Sequence, residues 1–365
     1  MSKVFIVYAS AGAGHQKAAE ALFDYLKRES PSLEIRLLDI LDYSHPLVKR
    51  LYSDGYIFLI SKLPWVWYFF YRLSSYLGNH PVISLGNYRN SKAFCGLLRK
   101  ENPDVVISTH FLTSSIISVF KRRALSPKPR LVAIITDYTL HPFWIGEGVD
   151  LYITSCAYVK EQLEKRGIES ERIKAYGIPA KDTFYVPAQR NEIAQKHKIA
   201  PKEFTVLVIT GAIGIGPIEH IVKALAGKAQ VLVVCGRNKR LFERVSLMRL
   251  PLVKVFPLIN YVDELMSVSD VVLTKAGGLT ITESLAKSLP MVFFSSIPGL
   301  ETANERTLKR CGAGFRACGV PEIVSTVLSL KNDPGLYTTA KENIERFRSQ
   351  STLKAIADEL RRFTR

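Results

Sequence analysis

The chain of 365 residues has the length of about two domains of ordinary size. Hydrophobic residues make up 47% of it and charged residues 23%, a globular composition that argues against a disordered or low-complexity chain. The formal net charge of +17 predicts an acidic partner. The five cysteines are scattered without a CxxC pair, which predicts buried thiols in a reducing compartment rather than a disulfide framework or a zinc site.

Short apolar runs alternate with helical stretches along the chain, the pattern of parallel sheets with crossover helices. The opening run, Val4–Tyr8, is too short for the core of a secretory signal, so we expect a first strand there. Further strands are predicted at 34–39, 104–108, 131–136, 151–154 and 172–176, and a second series at 205–210, 230–235, 252–256, 270–274 and 291–294. Because most of these runs are apolar throughout, both faces of each sheet should be covered.

A polar stretch that contains Pro179, Pro187 and Pro201 separates the two series and predicts a linker at 179–200. The fold class is therefore α/β, with two doubly wound, Rossmann-like domains facing a cleft. We predict the first domain at 1–178, the second at 201–335, and helices at 336–365. Those helices have the length to cross back onto the first domain, although the sequence alone does not show this.

A turn of small residues, Gly12-Ala13-Gly14-His15, follows the first strand, and a helix is predicted from about residue 16 to 28. Small residues let the backbone approach a ligand closely, and the helix N-terminus offers N–H groups to an anion or oxyanion. The positive helix end should keep His15 neutral, which suits it to accept a proton from a hydroxyl nucleophile. The spacing is equally compatible with a histidine that only bonds the backbone.

The region between His45 and Arg130 is basic and aromatic, with thirteen lysines and arginines against three acids. The run of aromatic residues that begins at Trp65 is bracketed by Lys62 and Arg72, so it is well short of the about 20 apolar residues that span a bilayer. We expect the segment to lie in the interface of an anionic membrane, with aromatic rings at the headgroup level. The residues predicted to contact lipid are Trp65, Trp67, Phe69 and Phe70. A buried helix and a nucleic-acid platform are the alternatives.

A polar cluster follows the predicted strand at 131–136. Ligands of open α/β sheets bind beyond the carboxyl ends of the strands, so Asp137 is placed to act as a base or to orient His15. His141 and Trp144 are predicted to line an acceptor pocket.

The second half repeats the design of the first. Its first strand runs into a turn that carries Gly211, Gly214 and Gly216, followed by Pro217 at the start of a helix. Glycines before a helix with proline in its first turn predict an anion site, for which a diphosphate is the natural ligand.

A further turn follows the strand at 270–274, and its Gly277-Gly278-Leu279-Thr280 stretch opens a helix whose N–H groups are able to hold a phosphate. Glu283 suits a bidentate grip on two ribose hydroxyls, or alternatively complements the helix dipole. In the next turn, after Gly299, one helical turn separates Glu301 from Asn304, so both are able to meet sugar hydroxyls. Because the chain has no DxD pair, we expect no metal, and helix N-termini would stabilise the leaving diphosphate.

Together these motifs resemble the monogalactosyl- and diglucosyl-diacylglycerol synthases, inverting glycosyltransferases of GT-B fold that are distantly related to the peptidoglycan GlcNAc transferase. The resemblance covers essentially the whole chain. It rests on residues 12–15 and 104–107, on Thr136-Asp137 with His141, Pro142 and Trp144, and on residues 214–219, 235–239 and 274–283.

The resemblance implies that UDP-sugar lies on the second domain, with Arg237 in a matching stretch, the backbone around Ile259 at uracil and Glu283 at ribose. Residues 299–304 would touch the donor sugar. His15 would be the catalytic histidine, and the basic aromatic segment would dock on the cytoplasmic side of the membrane, with no nucleic acid involved. Leu300 stands where the family usually has Gln, which leaves the donor sugar undecided.

The hypothesis is therefore an inverting transfer of a hexose from a UDP-sugar to a diacylglycerol-type lipid. The alternatives are a UDP-GlcNAc-dependent transferase or epimerase of the same fold and a non-catalytic sugar-nucleotide sensor. Leu300 and the replacement of two glycines by Ala212 and Ile213 keep the sensor open.

Overall fold

The structure is a computed structural model that describes residues 2–10, 12–78, 80–123, 129–211, 214, 216–348 and 352–363. Its contacts divide the chain into two compact units. The first comprises residues 1–181, 298–300 and 351–365, and the second comprises residues 182–297 and 301–350.

Each unit has one six-stranded parallel sheet. The strands are β1 (Lys3–Tyr8), β2 (Glu34–Asp39), β3 (Val105–Ser108), β4 (Arg130–Ile134), β5 (Leu151–Ile153) and β6 (Ile173–Lys174) in the first unit, and β7 (Thr205–Ile209), β8 (Gln230–Val234), β9 (Val253–Phe256), β10 (Val271–Thr274), β11 (Met291–Phe293) and β12 (Gly314–Arg316) in the second.

The helices of the described residues follow the chain in the same order. They are α1 (Ala13–Glu29), α2 (Pro46–Arg50), α3 (Tyr56–Lys62), α4 (Pro64–Leu77), α5 (Pro81–Asn90), α6 (Lys92–Glu101), α7 (Phe111–Arg123), α8 (Ala157–Glu164), α9 (Arg190–Lys196), α10 (Ile218–Leu225), α11 (Lys239–Leu247), α12 (Val262–Ser267), α13 (Gly278–Ala286), α14 (Leu300–Arg310), α15 (Gly319–Asn332), α16 (Pro334–Phe347) and α17 (Thr352–Phe363).

The first sheet has the strand order β2-β1-β3-β4-β5-β6. The central strand β1 is buried from Val4 to Val7, as expected of a strand covered on both faces. Helix α1 packs on this sheet because its buried residues, among them Ala18, Leu22 and Leu26, recur every four residues on one face. The C-terminal helix α17 adds its apolar face to the same core. The direction of the strand order changes between β1 and β3, which makes their carboxyl ends the switch point of this sheet.

The second sheet has the order β12-β11-β10-β7-β8-β9, and its strand order reverses between β7 and β10. Helix α10 covers one face with an apolar stripe that contains Ile218, Ile221, Val222 and Leu225. Each sheet thus has one switch point, between β1 and β3 in the first and between β7 and β10 in the second, the position at which open α/β sheets bind ligands.

Three local features differ from the predicted elements. The strand predicted at 172–176 is reduced to Ile173–Lys174, and β12 was not predicted because its three residues, with Gly314 and Arg316 at the ends, form no apolar run. The segment predicted as a linker folds onto the second unit. It contains α9, and its Phe184 and Ile199 are buried in an apolar cluster of that unit.

Candidate active site

His15 lies in the first turn of α1, directly beyond the carboxyl end of β1. The helix begins after Gly12 in an extended conformation, and no side chain caps its N-terminus, which also contains Gly14. His15 Nδ1 is 2.8 Å from the backbone oxygen of Thr109, the residue that follows β3. The hydrogen bond therefore links the segments that follow β1 and β3, at the switch point of the first sheet.

The second partner of His15 Nδ1 is the hydroxyl of Thr136, at 2.8 Å. The residue as a whole is partly exposed, yet desolvation of its ring by the surrounding protein lowers the pKa of His15 to about 4. His15 is thus neutral near pH 7, as the sequence predicted, although desolvation rather than the helix dipole is the dominant cause.

Two residues of this site were not among the predicted site residues. Thr136 occupies the position next to Nδ1 that the sequence analysis gave to Asp137. Asp137 is buried, and its backbone oxygen accepts a hydrogen bond from Ser155 at 2.6 Å. His110 packs edge-on against His15 with ring centroids 4.6 Å apart, and its pKa is lowered well below the ordinary value because it is buried. Its position directly beyond β3 was the available signal.

The turn at residues 141–144 was predicted to line an acceptor pocket. His141 is buried and 3.2 Å from the hydroxyl of Ser74, so it fastens this turn to α4. Trp144 is only 1% exposed and packs edge-on against Phe111. Trp144 is therefore a core residue in this structure. The sequence places its apolar ring next to a polar loop, and such a pattern does not decide between core and surface.

Helix α4 exposes most of the predicted lipid-contacting residues. Trp65 is 71% exposed, Phe69 62% and Phe70 51%. Trp67 differs, because its ring packs edge-on against Tyr56 at 5.0 Å and its buried Nε1 has no hydrogen-bond partner in the described structure. The helical period places Trp67 on the inner side of α4. No helix among the described residues combines the length and the apolar character needed to cross a bilayer.

The glycine turn of the second unit follows β7. Gly211, Gly214 and Gly216 all have positive φ. A Cβ on Gly214 would lie 2.6 Å from the backbone oxygen of Cys235, and one on Gly216 would lie 3.1 Å from the ring of Phe294. Glycine is therefore required at both positions by conformation and by space.

A buried polar group at the end of β7 was not identified from the sequence. The hydroxyl of Thr210 is buried next to this turn and has no hydrogen-bond partner in the described part of the chain. Helix α10 then begins after Pro217, without a side-chain cap. The turn thus combines a buried hydroxyl with an uncapped helix start, two groups that are able to donate to an anion. Ala212 and Ile213 lie outside the described residues.

The turn after β10 lies at the other strand of this switch point. Helix α13 begins after Gly277 without a side-chain cap and without an acid in its first turn, although the helix is largely buried from Gly278 onwards. Leu279 and Thr280 complete this uncapped first turn. Glu283 follows on the same helix and is only 8% exposed.

Of the remaining predicted nucleotide contacts, Arg237 is exposed after β8, and Ile259 is half-buried after β9. Both therefore lie at the carboxyl edge of the second sheet, and their contacts with a nucleotide stay predictions. Among the described residues there is no group of three histidines, cysteines or acids arranged to hold a metal.

The residues of the predicted donor-sugar turn have different surroundings. Glu301 accepts a hydrogen bond from the Ile297 N–H at 2.7 Å and lies 3.4 Å from Lys275 Nζ. Asn304 is fully buried, and its Nδ2 donates to the Ala276 oxygen at 3.0 Å, so it supports the turn before α13. Gly299 adopts a positive φ of 94°.

Comparison with known families accounts for both units. Residues 15–180 match the monogalactosyldiacylglycerol synthase family, and residues 205–349 match the C-terminal domain of glycosyltransferase family 28. The chain therefore belongs to the glycosyltransferase family that includes the monogalactosyldiacylglycerol synthases. The resemblance inferred from the motifs is thereby confirmed, and the chain is an enzyme of the hexosyltransferase class.

Individual relatives agree with the family match. A processive diacylglycerol β-glucosyltransferase of Bacillus subtilis (strain 168) is 27% identical over 372 residues, which are 98% of this chain and 94% of that protein. Monogalactosyldiacylglycerol synthase 1 of Arabidopsis thaliana, a chloroplastic protein, is 30% identical over 335 residues, 86% of this chain and 61% of that protein.

A solved structure supports the fold. The S. aureus MnaA structure with UDP matches this chain with a TM-score of 0.66 at 15% identity, and the match covers 100% of this chain and 97% of that chain. At that identity the likeness concerns the fold alone, and it confirms the predicted two-domain α/β architecture of GT-B type.

Proposed function

We propose that the chain transfers a hexose from a UDP-sugar to the hydroxyl of a diacylglycerol-type lipid, with inversion at the anomeric carbon. The observation that carries the proposal is His15, a partly exposed and neutral histidine at the switch point of the first sheet. A neutral imidazole at this position carries the lone pair that a general base needs to accept a proton from an alcohol.

The reaction is a single displacement. His15 takes the proton of the acceptor hydroxyl, and the hydroxyl oxygen forms a bond to the anomeric carbon of the donor. The bond from that carbon to the diphosphate breaks, and its electron pair leaves with UDP. An α-linked donor thus gives a β-linked product.

The second unit supplies the nucleotide site in this proposal. The described glycines of the turn after β7 (Gly211, Gly214 and Gly216) and the uncapped start of α13 hold the diphosphate through backbone N–H groups, which also stabilise the negative charge of the leaving group. Glu283 binds the ribose hydroxyls. No metal ion is required, so activity should persist in excess EDTA.

The first unit supplies the membrane contact. The exposed aromatic side chains of α4 enter the interface of an anionic membrane, while Lys62, exposed just before α4, and Arg72, exposed on it, contact lipid phosphates. The enzyme then acts as a peripheral protein on the cytoplasmic face, where a reducing environment suits its five free cysteines.

The test is to incubate the protein with anionic vesicles that contain diacylglycerol and with UDP-glucose, UDP-galactose or UDP-N-acetylglucosamine. We expect release of UDP and a β-linked glycolipid, identified by mass spectrometry and by NMR of the anomeric proton. An α-linked product would overturn inversion. Interconversion of UDP-sugars without lipid would identify an epimerase instead, and UDP binding without turnover would identify a sensor.

A further inference from the structure

The imidazole of His15 is held at one nitrogen by two oxygens, and neither belongs to a carboxylate. Nδ1 lies 2.8 Å from the backbone oxygen of Thr109 and 2.8 Å from Oγ1 of Thr136. The Thr136 hydroxyl is in turn within 3.5 Å of the Thr109 oxygen, to which it donates. The three groups form a closed triangle of hydrogen bonds.

This triangle is compatible with one tautomer of the neutral ring. A carbonyl oxygen carries lone pairs and no proton, so Nδ1 must donate to Thr109. If Nδ1 were unprotonated, its lone pair would face that of the Thr109 oxygen at hydrogen-bond distance. With the proton on Nδ1, the Thr136 hydroxyl accepts from it and gives its own proton to Thr109, so each proton has an acceptor.

We propose that Thr136 is a positioning residue for the base: together with the Thr109 carbonyl it fixes His15 in the Nδ1–H tautomer and leaves Nε2 free to take the acceptor proton. The inference rests on the proposed function in that it assumes His15 to be the base. After proton transfer both ring nitrogens carry hydrogen, and Nδ1–H stays bonded to the same two oxygens. Thr136 thus acts through His15 and does not contact the substrate.

The local structure explains why a threonine serves here. Thr136 follows β4 by two residues and is 5% exposed, so its side chain is packed on all sides. A β-branched side chain has few χ1 rotamers, and burial selects one of them, which keeps the hydroxyl on Nδ1.

The test compares Thr136→Val, which keeps the shape and removes the hydroxyl, with Thr136→Ser, which keeps the hydroxyl. We expect Thr136→Val to lower kcat about 10- to 100-fold, within the usual contribution of proton transfer, with little change in KM for the UDP-sugar. Thr136→Ser should stay within about threefold of the wild type, because one hydrogen bond is retained.

The matched control is Thr154→Val. Thr154 is a buried threonine directly beyond the neighbouring strand β5, and its hydroxyl donates to the Cys156 oxygen at 3.1 Å. Its loss should affect stability as Thr136→Val does but leave kcat unchanged. A normal kcat in Thr136→Val, or an equal fall in Thr154→Val, would overturn the assignment of Thr136.

A second measurement needs no substrate. In protein labelled with 15N-histidine, the His15 signals are assigned by their absence from His15→Gln, and we expect a protonated Nδ1 and an unprotonated Nε2 at pH 7. An Nε2–H tautomer would overturn the inference even if the enzyme is a transferase. Conversely, an Nδ1–H tautomer in a protein whose His15→Gln variant keeps full turnover would retain the hydrogen-bond assignment and reject His15 as the base.

Discussion

The two units share a sheet architecture and differ in what they place at its switch point. The first unit assembles side chains there, with His15 bonded to Thr136 and packed against His110. The second places backbone there, in a glycine turn after β7 and in the uncapped start of α13. One fold therefore offers two kinds of environment, a neutral histidine at the first switch point and a glycine turn beside an uncapped helix at the second, which we propose to be a base and an anion site.

The surfaces of the units differ in a related way. The first concentrates exposed apolar side chains in one segment, with Trp65 and Phe69 on α4 and Leu47 before them. The second unit exposes aliphatic side chains such as Leu247, but its described residues include no comparable cluster of exposed aromatic side chains. In the proposed function, proton transfer and lipid contact belong to the first unit, and nucleotide binding belongs to the second.

The first prediction separates these roles most strongly. Replacing His15 by alanine removes the proposed base and should lower the transfer rate by about 10² to 10⁴-fold, while UDP affinity measured by calorimetry stays unchanged. The control is His220→Ala, an exposed histidine of α10 in the second unit, which should keep wild-type activity. Near-normal turnover in His15→Ala would show that the base lies elsewhere.

How far the sequence leads is seen at this same site. Its apolar runs located eleven of the strands, and the turn after the first strand pointed to His15, because a strand that ends in small residues before a helix is a local pattern. The partner of His15 was not accessible in this way. Thr109 and Thr136 are 94 and 121 residues away in the chain, and their contact depends on how β1, β3 and β4 are ordered in the sheet.

Burial was the second quantity that the sequence left open. The aromatic run on α4 was predicted to lie in a membrane interface with Trp67 among its lipid contacts, yet the helical phase in the structure turns Trp67 inward. Asn304 illustrates the same point, since a polar side chain predicted to meet a sugar is fully buried against Ala276. Which side of a helix faces protein is set by packing with distant segments, and no local pattern contains it.

The second prediction concerns acid. Burial lowers the pKa of His141 to about 4, whereas an unfolded chain binds that proton near its ordinary value of about 6.5. As the pH falls from 6.5 to 4 the unfolded state gains protons that the folded first unit rejects, so stability present above pH 6.5 is lost. For His141 alone the loss is about 3 kcal/mol, and below pH 4 this contribution stops changing.

Hydrogen–deuterium exchange at pH 7, 6 and 5 tests this unit by unit. Protection of β4 and α7 should fall more steeply with acidity than protection of β7 and β10. His141→Gln, which retains a donor and an acceptor but does not titrate, should make the dependence in the first unit less steep, while His15 and His110 of the same unit still titrate. An identical pH dependence in the variant and the wild type would contradict the assignment.

The third prediction addresses the exposed apolar surface. Changing both Trp65 and Phe69 to serine removes two large side chains from the proposed membrane contact, which should weaken binding to anionic vesicles about 10- to 100-fold. UDP affinity should not change. The control is Leu247→Ser, since Leu247 is 76% exposed in the second unit. Equal vesicle binding by the double variant and the control would remove α4 from the membrane contact.

The smallest effect is expected at the glycine turn, where backbone rather than side chains should bind the diphosphate. Gly214→Ala forces alanine into a positive φ of 63° and brings its Cβ to 2.6 Å from the Cys235 oxygen, so the turn must shift and UDP affinity should fall about tenfold.

Gly227→Ala is the matched control, because Gly227 has a positive φ of 75° in the same unit but no atom within 4 Å of the added Cβ. Both variants should lose stability through backbone strain, by about 1 to 2 kcal/mol for the conformation alone. Only the first should lose UDP, as measured by calorimetry. If both lose it equally, the effect is strain in the unit as a whole, and the turn after β7 has no special part in holding the nucleotide.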